Sequence, residues 1–537
     1  MRRFLIGLIT LVAGLAITAS AGAVNFSVSG PFPVPDSPFS AGCGGSGEGG
    51  GAFVYPGSEP EPWLAVNPAN PDDMVAFFQQ DRWSDGGAHG LVAAVTHNAL
   101  SLGGATWTTP APPKFSRCAG GTMANGGFYE RSSDPWVSFA DDGTLYAISV
   151  SFDRSTARNA VLVSRSTDQG DTWSDPITLR FDNSNSGPLA NLFNDKESIT
   201  ADPDNEHVYA VWDRITSPAD NFNNPPPSFE NSQAFHGPTW FARSTDGGDT
   251  WETAHEIFAP NASRTQTIGN QIVVLPDGSL LDGFNFRIFH RGVISGHGSP
   301  DNVSVIRSTD KGATWSGRIQ VAQMGDQGVR DPEPVAQCRP NQSATTLCTL
   351  VRTGDILPDF AVDRSPTSTN EGNVYAVWQS HDSFTVLGHP VDDSIMLSRS
   401  TDGGLHWSTP IKVNKTPGGN TYNQQAFTAS VDVADDGTVA VTYYDFRNDL
   451  KGSDDGGILG TDHWIVHSHD GGQTFPFESR LTSASFDMRK APYARGYFTG
   501  DYEGLGHAAN VFKAFWDVGV SSATFTNRSD NLWASAG

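Results

Sequence analysis

Acids and arginines stand side by side at recurring places in this chain. Asp81-Arg82, Asp153-Arg154 and Asp213-Arg214 are adjacent pairs, Asp445 and Arg447 fall together in YDFR, and Arg287 in FNFR lacks a neighbouring acid. Tyr502 lies between two acids in Asp501-Tyr502-Glu503. More charges precede short apolar runs: Glu59 and Glu61, Arg131 and Asp134, Asp195 and Glu197, and Arg330, Asp331 and Glu333 in GVRDPEP. Arginine presents a planar fork that grips a carboxylate bidentately. A tyrosine becomes a useful nucleophile when a carboxylate stands by to take its proton. The chemistry open to this set is therefore recognition and turnover of an anionic ligand. The same Asp-Arg pairs would serve equally well as salt bridges copied by duplication.

Short hairpins must position these residues. In residues 134–180, PWVSFA, TLYAISVSF, AVLVSRS and DTWSDPITL read as four strands, A to D, joined by turns such as DDG. The A–B hairpin returns from Pro62, Pro135, Glu197, Gln271, Asp359, Phe427 and Asp501, and strand B repeatedly ends on the Asp-Arg pairs. Strands in such a unit alternate direction, so strand-A starts and strand-B ends share one rim. The charged residues are expected there, where the inner strands of all units converge.

The C–D turn carries its own motif. SRSTDQGDTW sets the spacing Ser-x-Asp-x-Gly-x-Thr-Trp at Ser166, and it recurs from Ser244 and Ser308, more loosely from Ser400 and Ser468, and without its Asp from Leu100. Starts about 65 to 90 residues apart suit a four-stranded sheet with a variable loop and are too long for a solenoid repeat. The Asp is suited to accept hydrogen bonds from its own turn, the Gly allows positive φ, and the Trp is expected between neighbouring units. Such a motif is a structural staple on the rim opposite the charged one. One carboxylate per turn is too few for a calcium loop.

These turns resemble the Asp boxes of the sialidase superfamily of propellers. The resemblance implies an all-β fold, a β-propeller of four-stranded antiparallel blades. Seven hairpins favour seven blades, with six as the alternative. NFSVSGPF, from Asn25 to Phe32, is the segment available to complete the last unit, which lacks a D strand. The resemblance also implies three arginines for a substrate carboxylate, a Tyr nucleophile with a Glu partner, and an Asp acid/base. Arg214, Arg287 and Arg447 are the substrate-binding candidates, Tyr502 the nucleophile, Glu503 or Glu197 its partner, and Asp134 the acid. Neighbours on a strand face opposite ways, which favours Glu197 over Glu503. The Phe/Tyr-Arg-Ile-Pro motif of sialidases is missing near the N-terminus; FRIF at Phe286 to Phe289 echoes it without the Pro.

The chain has 537 residues, 57 Gly, 34 Pro and only 17% charged residues, which fits many short strands in one large repeat domain over 24–537. Residues 1–23 read as a signal peptide, Arg2 and Arg3 leading an apolar run and small residues, so a secreted protein without membrane insertion after cleavage is expected. A Gly-rich segment covers about 40–52. Four cysteines favour Cys43 with Cys118 and Cys338 with Cys348, free or mixed thiols being the rival. No metal-ligand spacing occurs among the cysteines or at His236, His290, His297, His463 and His467, and no cofactor is implied. A net charge of −25 argues against nucleic acid as a partner. The insertion from Ile215 to Trp240 offers Phe222, Phe229, Phe235 and Trp240 to stack on sugars, or else is a surface loop. The expected function is an exo-acting glycoside hydrolase on terminal acidic sugars, working as a monomer on a glycan. A non-catalytic carbohydrate-binding or adhesion propeller and a polysaccharide lyase are the alternatives.

Overall fold

The computed structural model describes residues 25–33, 38–39, 43, 52–101, 104–183, 192–216, 236–260, 265–288, 301–325, 328–331, 350–381, 385–386, 389–390, 393–417, 425–449, 457–520 and 528–537. Residues 1–23, Cys338, Cys348, Glu333, Phe222, Phe229, Phe235, His290 and His297 lie outside them, as does most of 40–52.

The fold is all-β, built of successive antiparallel series. The first runs Trp63–Val66, Met74–Trp83, Ala88–Thr96, and then a bridge from Val95 to Thr108. The second pairs Arg131–Phe139, Leu145–Phe152, Arg158–Ser166 and Ile177–Asn183. The third pairs Leu192–Ala201, Val208–Thr216, Thr239–Ser244 and His255–Phe258. The fourth pairs Thr265–Val274, Leu280–Ile288, Asp301–Ser308 and Ile319–Met324. Next come Asp359–Val362, Val374–His381, Asp393–Ser400 and Ile411–Lys412. They are followed by Ala426–Val433, Val439–Asp445, Gly460–Ser468 and Phe477–Arg480. In the last series Gly504–Ala508, Val511–Val520 and Arg528–Ala536 are completed by Val28–Pro33, so the N-terminal segment supplies the missing strand.

The first strand of each series touches that of the next, and the first strand of the last series touches Trp63–Val66. These inner strands therefore surround an axis. Apolar clusters fill the wedges between series; Tyr146, Ile148 and Val163 of the second, for instance, meet Val208, Ala210 and Trp212 of the third.

The repeated turn does the stapling its sequence suggests. Ser166 donates to Asp168 at 2.8 Å, Gly170 N–H to the Ser166 hydroxyl at 2.8 Å, and Thr172 N–H and hydroxyl to Asp168 at 2.9 and 2.6 Å. The same bonds close the turns at Asp246, Asp310 and Asp470. In the fourth copy His406 replaces the Thr, its ring 2.6 Å from Asp402. Gly170, at φ 103°, leaves no room for a side chain, since a Cβ there would lie 2.9 Å from Val95. The aromatic ending each turn packs against the preceding series: Trp173 on Phe77, Trp315 on Phe241, Trp107 on Phe515 and Trp533. Cys43 and Cys118 are bonded, as expected, with Cα atoms 5.5 Å apart.

Candidate active site

The inner strands enter the axis through bulges. Their registers slip between Ser133 and Trp136, Asp195 and Ser198, Ile268 and Gln271, and Phe427 and Ser430. At each slip one residue takes a left-handed backbone: Asp134 at φ 55°, Lys196 at 48°, Gly269 at 70° and Thr428 at 46°, and Glu61 does so ahead of Trp63 at 58°. That conformation costs a non-glycine residue about 1–2 kcal/mol, and such strain concentrates at functional sites. Here it turns three charged side chains toward one another.

Lys196 is the hub. Its Nζ lies 2.8 Å from Asp501, 3.1 Å from Glu61 and 3.2 Å from Asp134. Arg352 clamps Asp501 at 2.7 and 3.2 Å, and Arg352 and Arg82 both lie over the Phe498 ring, 4.3 and 4.8 Å from its centre. The segment carrying Arg352 packs so closely that a Cβ on Gly354 would sit 1.5 Å from the Asp501 carbonyl oxygen. Gln79 joins Glu61 to the Ser133 hydroxyl, which in turn donates to Asp134. Below this cluster Trp63 and Trp136 stack 3.4 Å apart, with the Tyr502 ring edge-on to both. A cavity of about 40 Å³ is lined here by Lys196, Glu197, Asp359, Asp501 and the three aromatics. Beyond the tryptophan stack the axis widens into a second cavity of about 410 Å³, toward Asp432, Asp435 and His507.

Burial and charge drive the acids apart. Burial pushes Glu61 up to about 8, against Lys196, whose charge Asp134 and Asp501 already share. Burial acts on Asp501 too, but Arg352 and Lys196 outweigh it and hold that carboxyl well below the usual range. Burial, then the Asp134 charge, raises Glu197 well above the usual carboxylate range. Burial lifts Asp359 to about 7, against the hydrogen bond from Val431 N–H. Neutral and ionised carboxyls side by side are the raw material of acid-base work.

Of the residues singled out from sequence, Glu61, Arg82, Asp134, Glu197, Asp501 and Tyr502 meet at this site. The Tyr502 hydroxyl donates to the Pro135 carbonyl at 3.0 Å, and burial followed by Glu61 and Asp134 raises its proton affinity. Glu503 faces away, into the packing beside Tyr444, whose hydroxyl donates to it. The arginine triad is not assembled at the cavity. Arg214 pairs with Asp182 at 2.7 and 2.9 Å on the outer strand of the preceding series, and both it and Arg180 lie over the Trp240 ring. Arg287 pairs with Asp301 at 3.1 Å, and Arg447 with Asp445 and Glu478 at 2.5 and 2.6 Å. Each meets an acid of its own or the preceding series, the salt-bridge alternative. Asp331 is likewise held by Arg489 at 2.8 and 2.9 Å. Lys196, Arg352, Trp63, Trp136 and Asp359 were not singled out. The repeated acid-Pro-Trp of Glu61-Pro62-Trp63 and Asp134-Pro135-Trp136 is the signal that marks the tryptophans.

No protein-family model and no curated protein sequence matches the chain. Sialidases and an arabinofuranosidase are among the solved structures it resembles. The Hadza microbial sialidase Hz136 is 14% identical, with 87% of this chain and 74% of that one covered at a TM-score of 0.43. The α-L-arabinofuranosidase Arb93A of Fusarium graminearum is 11% identical over 78% of this chain and 93% of its own, with a TM-score of 0.43. NanB sialidase of Streptococcus pneumoniae is 10% identical over 90% and 94%, also at 0.43.

Proposed function

We propose that the chain is a secreted, monomeric β-propeller of seven blades that acts on glycans, as an exo-acting glycoside hydrolase of terminal acidic sugars. One observation carries this reading: neutral and ionised carboxyls converge on one axial cavity, floored by aromatic rings and lined by Lys196, with Arg352 pairing with Asp501 of its wall. Aromatic rings suit sugar faces, separated proton affinities suit cleavage of a glycosidic bond, and the two cations suit an acidic sugar. The cyclic contact of inner strands supports the seven-bladed ring.

The test is turnover by the purified protein of a fluorogenic sialoside, a neutral arabinofuranoside and a uronate polymer. Hydrolysis of the sialoside is expected. An ultraviolet-absorbing unsaturated product from the uronate polymer would instead identify a lyase. A binding propeller without catalysis is favoured by one feature, the larger axial cavity lying beyond the tryptophans and away from Glu197 and Asp501. Glycan binding with no turnover of any substrate would establish that reading.

A further inference from the structure

We propose that Glu197 is the proton donor of the site, working beside the ion-paired carboxylates of Asp134 and Asp501 rather than beside a tyrosine nucleophile. This assignment rests on the glycoside-hydrolase reading above. Glu197 follows Lys196 in the bulge of Leu192–Ala201, is only 2% exposed and lines the cavity. Its Oε1 is fixed by the Val150 N–H, while Oε2 has no hydrogen-bond partner among the described residues. A buried polar atom left unpaired costs about 1–3 kcal/mol, a penalty a ligand oxygen arriving in the cavity would relieve.

The groups around it set its protonation. Asp134 faces it from Arg131–Phe139, Asp195 and Lys196 flank it on its own strand, and Asp501, Tyr502 and Asp359 share the cavity. Burial and the Asp134 charge keep the proton on Glu197. Asp501, doubly held by Arg352 and Lys196, stays ionised and is too weak a base to take a proton. Tyr502, with its hydroxyl spent on Pro135, forms part of the wall.

The step balances on Glu197 alone. Its proton passes to the glycosidic oxygen as the bond from that oxygen to the anomeric carbon breaks, and the leaving group departs as an alcohol. Water then bonds to the anomeric carbon and returns a proton to the Glu197 carboxylate.

The experiment compares wild type and Glu197→Gln on sialyllactose and on a dinitrophenyl sialoside, whose leaving group needs no proton. The variant is expected to lose about 10²- to 10⁴-fold on sialyllactose and less than about tenfold on the activated substrate, and to lose the alkaline limb of its pH profile. Equal losses on both substrates with an unchanged profile would overturn the donor role while leaving the glycoside-hydrolase reading intact. A wild type inactive on both overturns that reading and the donor role with it. An infrared difference between the two proteins at neutral pH should contain the band of one protonated carboxyl, and its absence would also refute a neutral Glu197.

Discussion

Lys196 is a single cation serving three buried acids, so its removal is not a local loss. Lys196→Met leaves Asp134 and Asp501 close together with only Arg352 to offset them. Breaking a buried ion pair from one side costs about 3–5 kcal/mol, because the remaining charge is stranded. We expect a fall in unfolding free energy of about 3 kcal/mol by denaturant titration, partly restored when Asp134→Asn is added. Full additivity of the two changes would mean that they do not interact. Trp63 makes a different contribution: it separates the two axial cavities, and Trp63→Ala should join them. A gain in binding of sugars longer than the cavity at Lys196 and Glu197 admits, read by calorimetry, is the expected sign.

At the scale of the element, the bulges aim the charged residues, and their strain can be measured. Thr428 takes φ 46° with a β-branched side chain whose hydroxyl has no partner among the described residues. Thr428→Gly removes both penalties and should stabilise the protein by about 1 kcal/mol, less the entropy glycine loses on folding; a lower Tm would show that the side chain packs better than its strain suggests. Such bulges explain which part of the molecule was readable from sequence. The stapling turn is local, its donors and acceptors within four residues of its Asp, so its spacing was enough to place it. The pairing of Asp with Arg was read from adjacency, yet strand neighbours face opposite ways. Asp213 holds Gly269 N–H and Asn270, while Arg214 turns to Asp182. Lys196 meets acids 135 and 305 residues away in sequence, through a bulge that no periodicity announces.

For the whole molecule, the buried acids impose a direction on stability. Glu61 holds its proton in the folded state up to about pH 8, whereas an exposed glutamate releases it near 4.5. The folded state therefore binds the extra proton, and the stability this confers is complete below the unfolded value and lost as pH rises through about 8. Asp359, raised by burial to about 7, acts in the same sense. So does His507, lifted to about 10 by Asp432 and Asp435 against the effect of burial. His463 opposes them: burial lowers it to about 3, so it withdraws stability as pH falls from 6.5 toward 3 and is silent above 6.5. The stapling aspartates act lower still; the hydrogen bond from Thr250 holds Asp246 at about 2. Between pH 6.5 and 8.5 the terms from Glu61 and His507, joined by Asp359 up to about pH 7, point one way, and self-repulsion from a net charge of −25 adds to them. Wild-type Tm should fall across that window, Glu61 alone contributing up to about 2 kcal/mol by pH 8. In Glu61→Gln, which keeps the shape and cannot ionise, the fall should be visibly shallower. A Tm that is flat or rising in wild type would mean that these acids are already ionised in the folded axis, and that Lys196 and Arg82 neutralise more charge than burial takes away.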